Sequence, residues 1–321
     1  MRKLGDYGLI TLKGIAMGAA DVVPGVSGGT IAFISGIYEE LVNSIKNIDL
    51  TAIKLLFTGK FAQFWKKING NFLLALILGI AISIFSLAKL MTYLLTHEPI
   101  GTWSFFFGLI IASVILVSRD VRKWNVATVV ALLAGGVAAY AITVITPATT
   151  PDTWWFIILS GAIAICAMIL PGISGAFILL LMGKYAFIMK AVGDFNIGVI
   201  LLFVIGAVIG IVSFSHLLSW LLKNYKDVTI ALLTGFMIGS LNKVWPWKET
   251  LETYIDSHGV AQPLVEKNVF PATYQQIAGV DPQVLIAVVA CIAGFALIFV
   301  IEAVGKRKKK QVSLQESEAD E

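Results

Sequence analysis

Charge is scarce in this chain. Of its 321 residues only 14% are Asp, Glu, Lys or Arg, against about 25% in an ordinary soluble domain. Hydrophobic residues make up 58%, and mean hydropathy is +0.86. This excludes a soluble domain with one anchor and points to a polytopic membrane protein. Histidine is nearly missing, with three scattered copies, and so is cysteine, with two. Cys166 and Cys291 lie in apolar runs without ligand spacing, where a free thiol packs like a small hydrophobe. No zinc or two-metal cluster is legible, so no metal and no cofactor are expected. The net charge of +4 gives no support to nucleic-acid binding, because the positive residues are segregated along the chain. No cleavable leader is read in Met1 to Gly8.

Glycine, by contrast, is plentiful at 29 residues, as expected where helices approach closely in lipid. Apolar segments run at roughly 8–23, 27–45, 72–95, 101–118, 126–146, 154–170, 174–192, 198–222, 228–244 and 283–304. A spanning helix needs about 20 such residues. The segments at 72–95, 126–146, 198–222 and 283–304 meet that alone, and 101–118 and 228–244 are short spans.

The remaining segments form two pairs, each joined by a helix-breaking phrase. Pro24-Gly25-Val26-Ser27-Gly28-Gly29 recurs 147 positions later as Pro171-Gly172-Ile173-Ser174-Gly175-Ala176. Backbone that leaves the helix at bilayer depth must find partners in protein or in a wet cavity. Each pair therefore reads as a re-entrant hairpin. The repetition goes further. Tyr38 falls on Tyr185 at the same offset, and Leu78–Leu95 aligns with Ile205–Leu222 at offset 127. Residues about 8–146 and 154–304 are thus two copies of one unit, the first with a longer linker, Lys46 to Gly70.

One hairpin plus three spans is an odd number of crossings, so the second copy is inverted. Charge agrees with this. With the N-terminus in the cytoplasm, seventeen of the 24 Lys and Arg fall inside and only Lys243, Lys248 and Lys267 outside; Lys13, Lys89, Lys184 and Lys190 lie within apolar stretches. The fold class expected is all-α, with an inverted-topology repeat in the inner membrane and both termini cytoplasmic. Residues 245–282 form an extracytoplasmic loop with a surface helix near Lys248–Tyr254, its Trp245 and Trp247 at the lipid interface. Residues 306–321 form a disordered cytoplasmic tail.

The breaks are the candidate site. Proline removes a backbone donor, and glycine lets the chain turn and another group approach. Ser27 or Ser174 can cap the outgoing arm. Amides left free near Ser27, Gly28, Gly29 and Thr30, with the dipole of that arm, suit a phosphate or carboxylate. A pair of broken helices in matched positions is the usual mark of a transport site; satisfied structural kinks are the alternative. Asp21 stands three residues before the first break, and its counterpart is Met168. An ionisable group at membrane depth is a functional candidate. Asp21 either couples ion movement to anion movement or caps a backbone amide. Lys89 and His216 are equivalents that either greet a head group at each mouth or snorkel to the interface. Tyr38 and Tyr185 either orient a ligand or are interfacial.

The stretch Gly18-Ala19-Ala20-Asp21-Val22-Val23-Pro24-Gly25-Val26-Ser27-Gly28-Gly29-Thr30-Ile31-Ala32, with Gly36-Ile37-Tyr38-Glu39 after it and Ile169-Leu170-Pro171-Gly172-Ile173-Ser174-Gly175 in the second half, resembles the polyprenyl-phosphate transporter family, formerly a prokaryotic membrane domain of unknown function. The likeness covers about residues 8–304. It implies movement of undecaprenyl phosphate, the carrier lipid of cell-envelope synthesis, from the outer to the inner leaflet for reuse, and a lipid phosphate as partner. A weaker likeness is to membrane undecaprenyl-pyrophosphate phosphatases, whose Pro-Gly-x-Ser phrase has arginine directly after the serine. Here Gly28 and Gly175 take that position. Without arginine for phosphate contact, or a nearby histidine as general acid or base, phosphatase chemistry lacks its parts and the chain is not expected to be an enzyme. Transport of a small soluble anion stays open. No oligomeric state is read.

Overall fold

The computed structural model describes residues 4–21, 27–148, 150–255 and 261–319. Side chains at 88–89, 92, 254–255, 261–262, 264, 301 and beyond 303 lie outside that description. The first hairpin is α1 (Leu4–Asp21), α2 (Gly28–Ile34) and α3 (Tyr38–Lys46). Two short helices follow, α4 (Leu50–Phe57) and α5 (Phe61–Lys67), then the long α6 (Gly70–His97), α7 (Pro99–Ser118) and α8 (Val126–Val144). The second half runs α9 (Trp154–Ile169), α10 (Gly175–Leu181), α11 (Tyr185–Gly193), α12 (Ile197–Asn224) and α13 (Lys226–Ser240). A ribbon of β1 (Lys248–Ile255) and β2 (Ala261–Asn268), then α14 (Pro271–Ala278), lead into α15 (Val284–Ala319).

Local chemistry sets the helix ends. Asn125 and Thr128 form a reciprocal capping box at the start of α8, satisfying amides that a helix start leaves orphaned. Pro99 opens α7, where its missing N–H costs nothing. Ser27 caps α2 and Ser174 caps α10, each with its side-chain oxygen accepting a backbone amide. The protein is mostly helical. Among the described residues α6, α7, α8 and α12 are long and apolar enough to cross a bilayer, and α10 with α11, bent by 109°, makes a fifth if counted as one span. The expected short span at 228–244 is α13, with 15 residues, about 22 Å at 1.5 Å per residue.

Four helix pairs build the body, and each pair runs parallel. Along α1 and α6, Gly14 packs on Leu76 and Gly79, and Gly18 on Ile80 and Ser83. Along α9 and α12, Gly161 meets Phe203 and Gly210 meets Ala162. The other two pairs join the halves. Gly101 of α7 faces Ile286 of α15 and, at the far end, Arg119 lies over the Phe299 ring at 5.8 Å. Thr143 of α8 bonds Asn242 just past α13, and Asp227 of α13 accepts from the amides of Arg122 and Lys123 just before α8. Glycine at these crossings lets backbones touch, which is how helices associate where lipid removes the hydrophobic drive. The starts of α1, α6, α8 and α13 and the ends of α3, α7, α12 and α15 thereby share one end of the molecule. The ribbon occupies the other.

Three expectations are corrected. The surface helix near Lys248–Tyr254 is strand β1, paired antiparallel with β2. Thr250, Thr253 and Ile255 are β-branched, and Val265 opposite Glu252 suits a pleated surface. Trp245 and Trp247 are not an interface belt: their indole N–H groups donate to Val269 O and Pro282 O at 2.9 and 2.8 Å, and Trp247 is buried against Ile100 and Ala287. The tail read as disordered continues α15 to Ala319, through Lys, Gln and Glu, which are good helix formers. The linker after the first hairpin holds α4 and α5, and Leu50, Phe57 and Phe61 on them are exposed, as on helices that lie in a membrane interface.

Candidate functional site

The two breaks meet inside the protein. Ser27 Oγ donates to Met168 O and Leu170 O at 3.2 and 3.1 Å, carbonyls at the end of α9. Tyr38 Oη donates to Ile169 O at 3.0 Å. The amide of Gly172 donates to Thr30 Oγ1 at 2.9 Å. The first hairpin thus supplies the hydrogen bonds that the second loses where α9 stops. Buried backbone groups need such partners within the protein. Gly172 has φ +84, a left-handed turn open to glycine, and an added Cβ would stand 3.0 Å from Met237 Cα. Gly29 is held as closely: a Cβ there would come within 2.6 Å of Ile169 O.

At the first break the amides of Gly28, Gly29 and Thr30 are not free, which corrects the expectation from the sequence. Gly28 N donates to Asp21 Oδ1 at 2.7 Å, Gly29 N to Ser27 Oγ at 3.1 Å, and Thr30 N to Ser27 O at 3.0 Å. The place foreseen for a ligand's negative charge holds the chain's own carboxylate. A Cβ on Gly28 would strike that carboxylate. The position where phosphatases carry arginine therefore accepts no side chain while Asp21 stays in place.

The remaining candidates divide. Ser27, Gly28, Gly29, Thr30, Pro171, Gly172, Ser174 and Gly175 are all buried around the junction. Pro24 and Gly25 lie outside the described residues, as does the Lys89 side chain. His216 is exposed, its Nδ1 2.8 Å from Val212 O in its own helix, and takes no part in the junction. Tyr38 is buried with its hydroxyl engaged on Ile169, whereas Tyr185 is half-buried. The matched tyrosines are therefore not equivalent in role. Among the described residues no group of three or more His, Cys, Asp or Glu could hold a metal.

Lys13 and Lys184, 11 residues before Pro24 and 10 after Ser174, read from the sequence as snorkelling or entry-site residues; the partners of Lys184 and a second feature escaped sequence reasoning. Lys184 is buried and pairs with Asp152, and its Nζ also donates to Thr150 O at 2.8 Å. Thr150 Oγ1 in turn donates to Met182 O at 2.5 Å, capping α10. In the first half Lys13 Nζ serves the equivalent carbonyl, Ser35 O, at 2.6 Å. Both lysines thus anchor hairpins. The second feature is a cluster of Lys243, Lys248 and Glu266 at the ribbon end. Glu266 is 23 and 18 residues from the two lysines, and nothing in the spacing brought it to them.

Residues 17–262 match the model of the family described as "VCA0040-like: Undecaprenyl phosphate translocase-like". The protein named polyprenyl-phosphate transporter of Vibrio cholerae serotype O1 is 50% identical over 291 residues, 91% of this chain and 94% of that one. The protein of the same name from Staphylococcus aureus is 34% identical over 255 residues, 73% of this chain and 85% of that one. No solved structure gives a significant match. The chain is a multi-pass membrane protein, and it belongs to the undecaprenyl phosphate translocase-like family.

Proposed function

We propose that this protein carries polyprenyl phosphate, in the form of undecaprenyl phosphate, across the cytoplasmic membrane so that the carrier lipid is reused. The observation that carries the reading is the 50% identity, along nine-tenths of the chain, to a protein named polyprenyl-phosphate transporter. The polar junction of two broken helices supports a route for the head group, with the lipid tail left in the bilayer. The two halves act as inverted repeats. Equal lengths of 28 residues for α6 and α12, set 127 positions apart, support this, as do matched pairs α1–α6 and α9–α12. Both termini face the cytoplasm, in keeping with the lysines and arginines gathered at that end.

The head group competes with Asp21 for the amide of Gly28. Protonation or cation binding at Asp21 frees that amide, and so couples ion movement to lipid movement. No bond to phosphorus is broken, since Gly28 stands where hydrolysis would use an arginine. The conformation is the one closed toward the cytoplasm. On that side α3 is fastened to the second half: Ser219 Oγ donates to Asn43 Oδ1 at 2.8 Å, Lys46 Nζ to Ser219 Oγ at 3.2 Å, and Lys226 Nζ to Glu39 Oε1 at 2.6 Å. Their counterparts in the other half are Lys190, Gly193 and Ala186, which cannot repeat the set.

The test is a leaflet assay with purified protein in liposomes containing a labelled polyprenyl phosphate. Wild type should move the label across the bilayer and release no inorganic phosphate, while Ser27→Ala with Ser174→Ala should not move it. Phosphate release would favour an enzyme. Uptake of free phosphate with no change in lipid sidedness would favour a soluble-anion carrier.

A further inference from the structure

At the ribbon end a cavity of about 370 Å³ opens between α8, α10, the end of α13 and the ribbon. Lys243, Lys248 and Glu266 form its charged floor. Lys243 Nζ and Lys248 Nζ lie 2.9 and 3.3 Å from the same oxygen, Glu266 Oε2. All three side chains are less than one-fifth exposed, at 16%, 8% and 19%. Among the described residues two cations face one carboxylate, an excess of one positive charge, and an uncompensated buried charge is costly. Each ammonium also rests on an aromatic face, Lys243 over Phe177 at 4.6 Å and Lys248 over Trp103 at 4.5 Å. This fixes the pair in space, and Lys248 Nζ also donates to Lys243 O at 2.7 Å. Burial above all pushes the Lys248 ammonium down to about 8, with Glu266 opposing and Lys243 adding to the shift. Lys267 stands at the rim, opposite Glu249 in the β ladder.

The walls say what shape of anion fits. Tyr140 and Val144 of α8 line the cavity and are also more than half exposed on the outside of the helix bundle. The cavity therefore reaches the lipid-facing surface sideways. Opposite them stands Phe177, three residues after Ser174, about 4.5 Å along α10 from the second break. The cavity joins bilayer, charge and hairpin.

We propose that this cavity is a docking vestibule for a phosphomonoester head group, held by Lys243 and Lys248 in competition with Glu266. The proposal rests on the transport reading above and adds to it the first contact on the extracytoplasmic side. A dianionic phosphate takes both ammonium groups and displaces the single Glu266 oxygen they share, while the attached chain leaves through the gap beside α8.

The experiment uses full-length protein in phosphatidylcholine nanodiscs, with farnesyl monophosphate, farnesol and inorganic phosphate as probes. Farnesyl monophosphate should bind to wild type, and Lys243→Gln or Lys248→Gln should weaken it at least tenfold with farnesol unaffected. Glu266→Gln should tighten it severalfold while lowering thermal stability, a combination that a merely structural cluster does not give. Inorganic phosphate a hundredfold weaker than farnesyl monophosphate assigns the site to lipid; equal affinities, both lost in the lysine variants, keep the site and assign it to free phosphate. Unchanged farnesyl monophosphate affinity in both lysine variants, or no binding by wild type, overturns the vestibule. Lysine variants that bind and move lipid like wild type overturn it with the transport reading intact. Wild type that binds through the lysines yet moves no lipid overturns transport and leaves the vestibule.

Discussion

Single residues decide what the junction can hold. Asp21 accepts the amide of Gly28, and Gly28 has no room for a side chain beside that carboxylate. Asp21→Asn keeps the shape and removes the charge. Its transport should lose its dependence on pH or sodium, measured as initial rate against each; a variant with full rate and an unaltered profile would remove Asp21 from coupling. Gly28→Ala forces a methyl group against the carboxylate and should lower stability by about 1–3 kcal/mol, read from thermal unfolding, with transport lost. Lys248 makes a prediction of the opposite kind. Its folded pKa of about 8 lies below the ordinary 10.5, so between those values the unfolded chain binds more protons. Stability should therefore rise with pH through that window, and Lys248→Met should flatten the rise in thermal midpoint. Asp21 was legible in the sequence, since an acid in an apolar run stands out. Its partner was not, because the order of residues does not say which amide a carboxylate will reach.

At the scale of elements, the hairpins are unequal although their phrases match. Ser27 caps α2 and ties it to two carbonyls of α9, whereas Ser174 caps α10 through a longer contact of 3.5 Å to Phe177 N. Loss of a cap costs about 1 kcal/mol, and stranding buried carbonyls costs about 1–3 kcal/mol more. Ser27→Ala should therefore lower the thermal midpoint clearly more than Ser174→Ala; equal drops would show that the contacts across the junction contribute little. Most helices were legible, because apolar runs of 20 residues and a repeated Pro-Gly-x-Ser phrase survive any tertiary context. The ribbon was not. Lys248–Ile255 reads as polar and amphipathic, and what makes it a strand is its pairing with Ala261–Asn268, beyond its own end. The occupancy of the first break was equally hidden, since capping and ligand binding demand the same residues.

For the whole molecule, the fastening of α3 to α12 predicts a conformational arrest. In a chain with Cys166 and Cys291 replaced, Asn43→Cys with Ser219→Cys should form a cross-link under oxidant and stop lipid movement, with recovery on reduction. Movement at full rate through the cross-linked protein would mean that this contact does not open during transport. The parallel pairing of α7 with α15 and α8 with α13 has a different consequence, for biosynthesis. Both helices of the first half find their partners only after the second half is made. During translation α7 and α8 wait in the bilayer with their glycine faces uncovered until residue 226 and beyond emerge. A truncated first half should be a substrate for membrane quality control, and two halves produced as separate polypeptides should assemble only when they meet in the same membrane.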